Sequence, residues 1–289
     1  MKNEGKVKFI FYDGKKNQAI QETIINNIFE TGNFDILFVD LVNKGKAKAS
    51  VKNVIDKAET LGISVIFTYV NPETIEIIKS YNKAFVIGED EKQAGELQGK
   101  IIIDIWNTNK ESIDKDNDNK LEYYIMLQGS NELAAKQRVL YTISAINNAG
   151  IKTESLTSIA TNWDRELTKS TVNSLFFKYD DKIEAIISNS DDMAIGAIEA
   201  LQQYGYNTGS KSKTIIVVGI DGIPEARELI NKGYMAGTVI QDLRETAEAF
   251  YTIGMNLLAN KPPIEGTNYK LDKMGVTILL PYQEYIEKK

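Results

Sequence analysis

The residues 114–122 read Asp-Lys-Asp-Asn-Asp-Asn-Lys-Leu-Glu and carry more chemistry than any other stretch of the chain. Acids stand at loop positions 1, 3, 5 and 9 (Asp114, Asp116, Asp118, Glu122), and Lys120 at position 7 can offer its backbone carbonyl. This is the oxygen order of the first three quarters of an EF-hand loop, which holds Ca²⁺ at ~2.3–2.6 Å. Three carboxylates within five residues repel one another unless a cation sits among them. Asn119 stands where an EF-hand has Gly, and Asn tolerates the left-handed backbone better than most residues. The bidentate acid of position 12 is missing, since Tyr124 and Ile125 open an apolar run. On spacing alone the stretch reads either as a calcium loop or as an acidic solvated turn.

A second group is more dispersed. Gly219-Ile-Asp-Gly-Ile-Pro-Glu225 follows a buried strand and opens a helix, which puts Asp221 at the carboxyl end of a strand, where open α/β sheets bind ligands. It is not a phosphate loop, because no Gly-Lys-Ser/Thr follows. Ser188-Asn-Ser-Asp-Asp192 occupies the same kind of strand end. Trp163, taken singly, reads as packing. Together, Asp221, Ser190, Asp191 and Trp163 would make a polar crevice with an aromatic wall, suited to a sugar. Carboxylates accept hydroxyl hydrogen bonds, and a ring face covers the apolar C–H face of a pyranose.

The elements that must position these groups follow from composition and period. The chain has 289 residues, 34 basic and 40 acidic, hence a net charge of −6, with neither cysteine nor histidine. That excludes thiolate nucleophiles, disulfides and zinc fingers, and removes the commonest general base. An enzyme is not expected. The acidic balance opposes a nucleic-acid surface, and Lys44, Lys46, Lys48 and Lys52 fit the solvated face of a helix. No apolar run is long enough to span a membrane, and the opening MKNEGKVKF has no apolar signal core. Strand-like runs at 7–12, 36–41, 65–69, 84–87, 123–127, 185–188, 215–219 and 237–240 alternate with amphipathic stretches. The latter cover 17–29, 49–61, 91–106, 134–148, 164–177, 193–204, 224–231 and 243–259. This βαβ alternation predicts an α/β fold with parallel sheets covered on both faces.

The chain resembles the periplasmic galactose/glucose-binding proteins of the type I periplasmic binding fold. The matching words include Tyr-Asp-Gly (12–14), Leu-Gln-Gly (97–99), Gly-Ile-Lys-Thr-Glu (150–154), Trp-Asp (163–164), Met-Ala-Ile-Gly-Ala-Ile-Glu-Ala-Leu (193–201), Val-Val-Gly-Ile-Asp (217–221) and Gly-Thr-Asn-Tyr-Lys (266–270), besides the acidic loop. The resemblance implies two Rossmann-like lobes, residues 1–88 with 241–276 and 89–240 with 277–289, hinged near 88–90, 240–241 and 276–279. It implies that Glu184 completes a structural calcium site with Asp114, Asp116, Asp118, Lys120 and Glu122. It also implies a monosaccharide, galactose, glucose or related, held by Arg138, Trp163 and Asp221. Gln241, Ser190 and Tyr69 stand where the family has Asn, and a His and an Asp before the family's Arg have no counterpart in 129–138.

Residues 7–31 match the family's second βα unit, so its first unit has no counterpart. Either the remaining strand moves inward beside 36–41, or a partner chain supplies the absent one. The function implied is an extracytoplasmic sugar-binding protein serving an ABC transporter or chemoreceptor. The alternative is a degenerate member acting as a sensor or partner, for instance of a membrane histidine kinase, with weak sugar binding or none.

Overall fold

Apolar runs and amphipathic stretches become strand and helix in turn. The computed structural model describes residues 7–42, 47–68, 70–127, 133–179, 182–210, 213–240 and 242–287. In chain order these form α1 (Gln18–Thr31), β1 (Ile36–Asp40), α2 (Ala47–Leu61), β2 (Ser64–Thr68), α3 (Ile75–Lys79), β3 (Ala84–Glu89), α4 (Glu91–Ile113) and β4 (Lys120–Leu127). There follow α5 (Leu133–Asn148), β5 (Lys152–Ala160), α6 (Arg165–Tyr179), β6 (Ala185–Ser188), α7 (Asp191–Gln202), β7 (Ile216–Asp221) and α8 (Pro224–Asn231). The chain closes with β8 (Gly237–Ile240), α9 (Leu243–Leu258), β9 (Lys270–Leu271), β10 (Thr277–Leu280) and β11 (Gln283–Ile286). Two units result: Met1–Glu89 with Glu245–Leu280, and Asp90–Arg244 with Pro281–Lys289.

The amino-terminal unit holds a sheet in the order β1-β2-β3-β10-β9, parallel except for β9. On one face Ile25 and Phe29 of α1 pack with Val51, Val54 and Ile55 of α2 against Val65 and Phe67. On the other, Ala249, Ile253 and Leu257 of α9 cover Ile66, Ile87 and Ile278. α1 starts where the Asn17 side chain accepts the N–H groups of Ala19 and Ile20, and stops at Gly32, whose φ of 60° suits glycine. The expected strand at 7–12 is not one. Val7–Tyr12 forms no ladder, and it does not move inward beside Ile36–Leu41. Its sequence has strand character, but a strand exists only with a neighbour to bond.

The carboxyl-terminal unit holds the order β11-β8-β7-β6-β4-β5, parallel except for β11. Met193, Ile195, Ile198 and Leu201 of α7 pack on Ile186 and Val217 from one side. Ile101, Ile102 and Trp106 of α4 pack on Ile187, Val218 and Ile220 from the other. Each fully buried isoleucine contributes ~1.5–3 kcal/mol. Three boundaries are corrected. Residues 277–280, assigned to the carboxyl-terminal lobe, pair with β3, so the last boundary falls after Leu280. Likewise 242–244 stay with the second unit, and Glu89 with the first. β5, unread in the sequence, is a largely exposed edge strand whose polar residues hide its period.

Candidate functional site

The parallel strands β4 to β8 direct their carboxyl ends to one edge of the second sheet, and most of the sugar-site candidates stand there. Trp163 lies in the turn after β5 at φ 60°, half-buried against the α6–α7 core. Ser190 follows β6 and caps α7, its hydroxyl accepting the Met193 N–H at 3.3 Å. Asp221 ends β7 at φ 120°, backbone that few side chains adopt. Arg138 rises from α5, after β4, and is 8% exposed. Tyr69 and Gln241 lie outside the described residues.

Arg138 is anchored by groups that sequence reasoning missed. Its guanidinium pairs with the carboxylate of Glu91 on α4 and donates to the Asn189 carbonyl and the Tyr282 hydroxyl, both at 3.2 Å. Gly95 makes this approach feasible, because a Cβ there would stand 2.5 Å from the Arg138 carbonyl. Asn189 itself is fully buried, and neither its side-chain nitrogen nor its oxygen has a hydrogen-bond partner among the described residues. A buried unpaired amide costs ~1–3 kcal/mol, so such a group favours an incoming ligand hydroxyl or water. Beneath it, the Gln98 carboxamide donates to the carbonyls of Ser188 (2.8 Å) and Gly219 (3.2 Å) and accepts the Thr142 hydroxyl (3.1 Å). Asp191 accepts the Thr238 hydroxyl at 2.6 Å and the Ile223 N–H at 2.9 Å, while burial pushes its carboxyl up to about 7.

The acidic loop precedes and enters β4. Asn119 takes a φ of 63°, the left-handed backbone expected at position 6, and Asn117 takes 60°. Asx turns fold it: Asp116 accepts the Asp118 N–H, and Asp118 accepts the Lys120 N–H. Glu184, just before β6, accepts the N–H groups of Lys115 (2.8 Å) and Glu122 (3.0 Å), which brings it into the loop from 62 residues away. Carboxylate oxygens of Asp114, Asp116 and Glu184 lie within 4.8 Å of one another, as do those of Asp116, Asp118 and Glu122. Asp114, Glu122 and Glu184 are buried, and Asp114 Oδ1 has no partner. Burial pushes Glu184 up to about 8, and it raises Glu122 also. This oxygen-only donor set, with an orphaned buried carboxylate oxygen, fits a hard divalent cation.

Residues 1–262 match the model of the periplasmic binding protein domain family. The chain belongs to this family. It is 32% identical over 279 residues to the D-galactose/methyl-galactoside binding periplasmic protein of Haemophilus influenzae, covering 96% of this chain and 80% of that protein. Among solved structures it resembles an ABC transporter solute binding protein from Bacillus halodurans with bound myo-inositol (TM-score 0.70, 20% identity, 96% and 83% of the two chains). Another is the solute binding protein from Actinobacillus succinogenes with bound D-allose (TM-score 0.69, 18% identity, 93% and 84% of the two chains). These structural likenesses bear out the α/β fold with two largely parallel sheets. No helix among the described residues is long and apolar enough to cross a membrane.

Proposed function

We propose that this protein is an extracytoplasmic binding protein for a neutral monosaccharide or closely related polyol, serving an ABC transporter or chemoreceptor, with calcium as a structural ion. The observation that carries the sugar reading is the gathering of Arg138, Trp163, Ser190 and Asp221 at the carboxyl edge of one parallel sheet. The galactose-binding relative supports it. Trp163 would cover the C–H face of the ring, and Asp221 and Arg138 would take hydroxyls. Glu91 favours a neutral ligand, because a sugar acid would meet a guanidinium already paired with a carboxylate. The chemistry is binding; the chain has no histidine or cysteine to act as base or nucleophile.

Calcium would be held by Asp114, Asp116, Asp118, the Lys120 carbonyl, Glu122 and Glu184. It would screen carboxylates that otherwise face one another within the fold and would clamp the loop to β4 and the entry of β6.

The test is a thermal shift in calcium with galactose, glucose, allose, myo-inositol and galacturonate. At least one neutral ligand should raise Tm, galacturonate should not, and Trp163→Ala should abolish the shift. If no ligand moves Tm and Trp163→Ala shows only a small packing loss, the sugar reading fails. The sensor or partner role without sugar then takes its place.

A further inference from the structure

Asp191 reads in the sequence as one of the crevice acids, but the fold withdraws it from any ligand. It opens α7 directly after the Ser190 cap and is fully buried. Its carboxylate is given to protein instead. Oδ1 accepts the Thr238 hydroxyl at 2.6 Å, Oδ2 accepts the Ile223 N–H at 2.9 Å, and the Gly222 N–H bonds to the same carboxyl group. β7 leaves room for it at Gly219, which stands opposite Thr238 in the β7–β8 ladder. A Cβ at Gly219 would lie 2.2 Å from Asp191 Oδ1.

Two of those donors belong to the turn that carries Asp221. Asp221 takes φ 120° and Gly222 φ 70°, two successive residues with positive φ. A non-glycine residue held in such backbone costs ~1–3 kcal/mol and persists only where its surroundings over-determine it. Here they do so from two sides. On β8, Ile240 closes over Gly222, where an added Cβ would stand 2.7 Å from its Cγ1. On α7, Asp191 takes the N–H groups of the two residues that follow Asp221. The side chain at 221 thus leaves a backbone fixed by two neighbouring elements.

We propose that Asp191 is the positioning residue for Asp221: by gripping Gly222 and Ile223 it holds the turn in the strained backbone from which Asp221 meets a ligand hydroxyl. This rests on the reading of Asp221 as a sugar-binding residue. A turn fixed before the ligand arrives spares binding the cost of ordering it. Burial first, and the nearby Asp221 carboxylate, push the Asp191 carboxyl up to about 7, so near neutral pH it carries a proton for much of the time. Its grip therefore depends on its shape and its accepting oxygens, and an uncharged amide of the same shape can replace it. In Asp191→Asn the carboxamide oxygen accepts from the turn, while the nitrogen donates to Thr238 Oγ1.

The test is calorimetric titration with galactose, or with whichever neutral ligand of the thermal-shift panel raises Tm most. Removing a group that orients a ligating side chain costs ~10–100-fold at metal sites, and Asp191→Ala should weaken the sugar by a similar factor. Asp191→Asn should bind as the parent does. Val172→Ala, which opens a cavity in the buried face of α6, should lower Tm without weakening the ligand, and so separates positioning from general loss of stability. If Asp191→Ala fails to fold, Thr238→Val carries the test. It keeps the β-branched shape, removes the hydroxyl that steadies Oδ1, and should weaken binding ~2–10-fold. A folded Asp191→Ala (or, in its place, Thr238→Val) that binds as tightly as the parent would overturn the proposal. So would an Asp191→Asn that loses as much as Asp191→Ala. A parent that binds nothing in the panel takes down the sugar reading and this proposal together, whereas the first two outcomes sink this proposal alone.

Discussion

The two sheets are built from the same βα repeat, yet their edges and strand ends differ. In the carboxyl-terminal sheet, parallel strands run unbroken from β8 to β5, and antiparallel β11 covers the far side of β8. Its strand ends carry Trp163, Asn189, Ser190, Asp191 and Asp221, and the acidic loop leads into β4. Among the described residues the amino-terminal sheet ends at β1, and Val7–Tyr12 forms no ladder. Its described strand-end chemistry includes the Thr68 hydroxyl donating to Asp40 at 2.8 Å. Buried Glu184, Asn189 and Asp191 gather at the two ends of β6 and the start of α7, and β6 is an interior strand bonded to a neighbour on each side. A binding site needs groups locked by their surroundings, and an unpaired edge cannot provide that.

If calcium occupies the acidic loop as proposed, its removal should break this comparison most strongly. At a thousandfold excess over its Kd, an ion bound only to the folded state adds ~4 kcal/mol. Chelation should therefore lower Tm of the carboxyl-terminal unit by many degrees, and Glu184→Gln should remove most of the chelator's effect. An unchanged Tm, with no calcium by elemental analysis, would sink the assignment. A smaller loss comes from Gly219→Ala. Its Cβ would stand 2.2 Å from Asp191 Oδ1, a clash in a packed interior. Overpacking of this kind costs ~1–3 kcal/mol, measurable by urea unfolding. An equal substitution at Gly62, where no atom lies within 4 Å, tests only backbone strain at φ 69°.

A further expected effect is in pH. The Asp191 carboxyl is raised from 3.8 to about 7, first by burial and against three hydrogen bonds that favour its charge. The stability gained from holding its proton is complete below 3.8 and is lost as pH rises toward 7, where the folded state too must ionise. In calcium-saturated protein, Asp191→Asn should flatten the Tm profile across that window. A variant profile parallel to the parent's would show that Asp191 does not titrate there.

What the sequence revealed was what is local. The acidic loop could be read because its own acids are spaced within nine residues and its left-handed Asn needs no partner. Helix α8 was delimited by Pro224 and its own apolar period, and β6 by a continuous apolar run. The Glu91–Arg138 pair escaped because 47 residues separate its members, and only the close packing of α4 on α5 at Gly95 joins them. Asn189 has no sequence signal; its lack of partners belongs to the folded interior. Val7–Tyr12 misled in the opposite direction, since apolar β-branched and aromatic residues make a strand only beside another strand.

The Gln98 carboxamide has a consequence for how this part of the molecule breathes. Strand ends usually fray first, and their amide hydrogens exchange with water long before those of the core. Here one buried side chain ties the last carbonyl of β6, Ser188, to Gly219 of β7, and holds Thr142 of α5 as well. Opening any of the three leaves part of the buried Gln98 carboxamide without its partner. The residues that would meet a ligand therefore sit on strands whose deuterium uptake should follow the slow rhythm of the core rather than that of a surface loop.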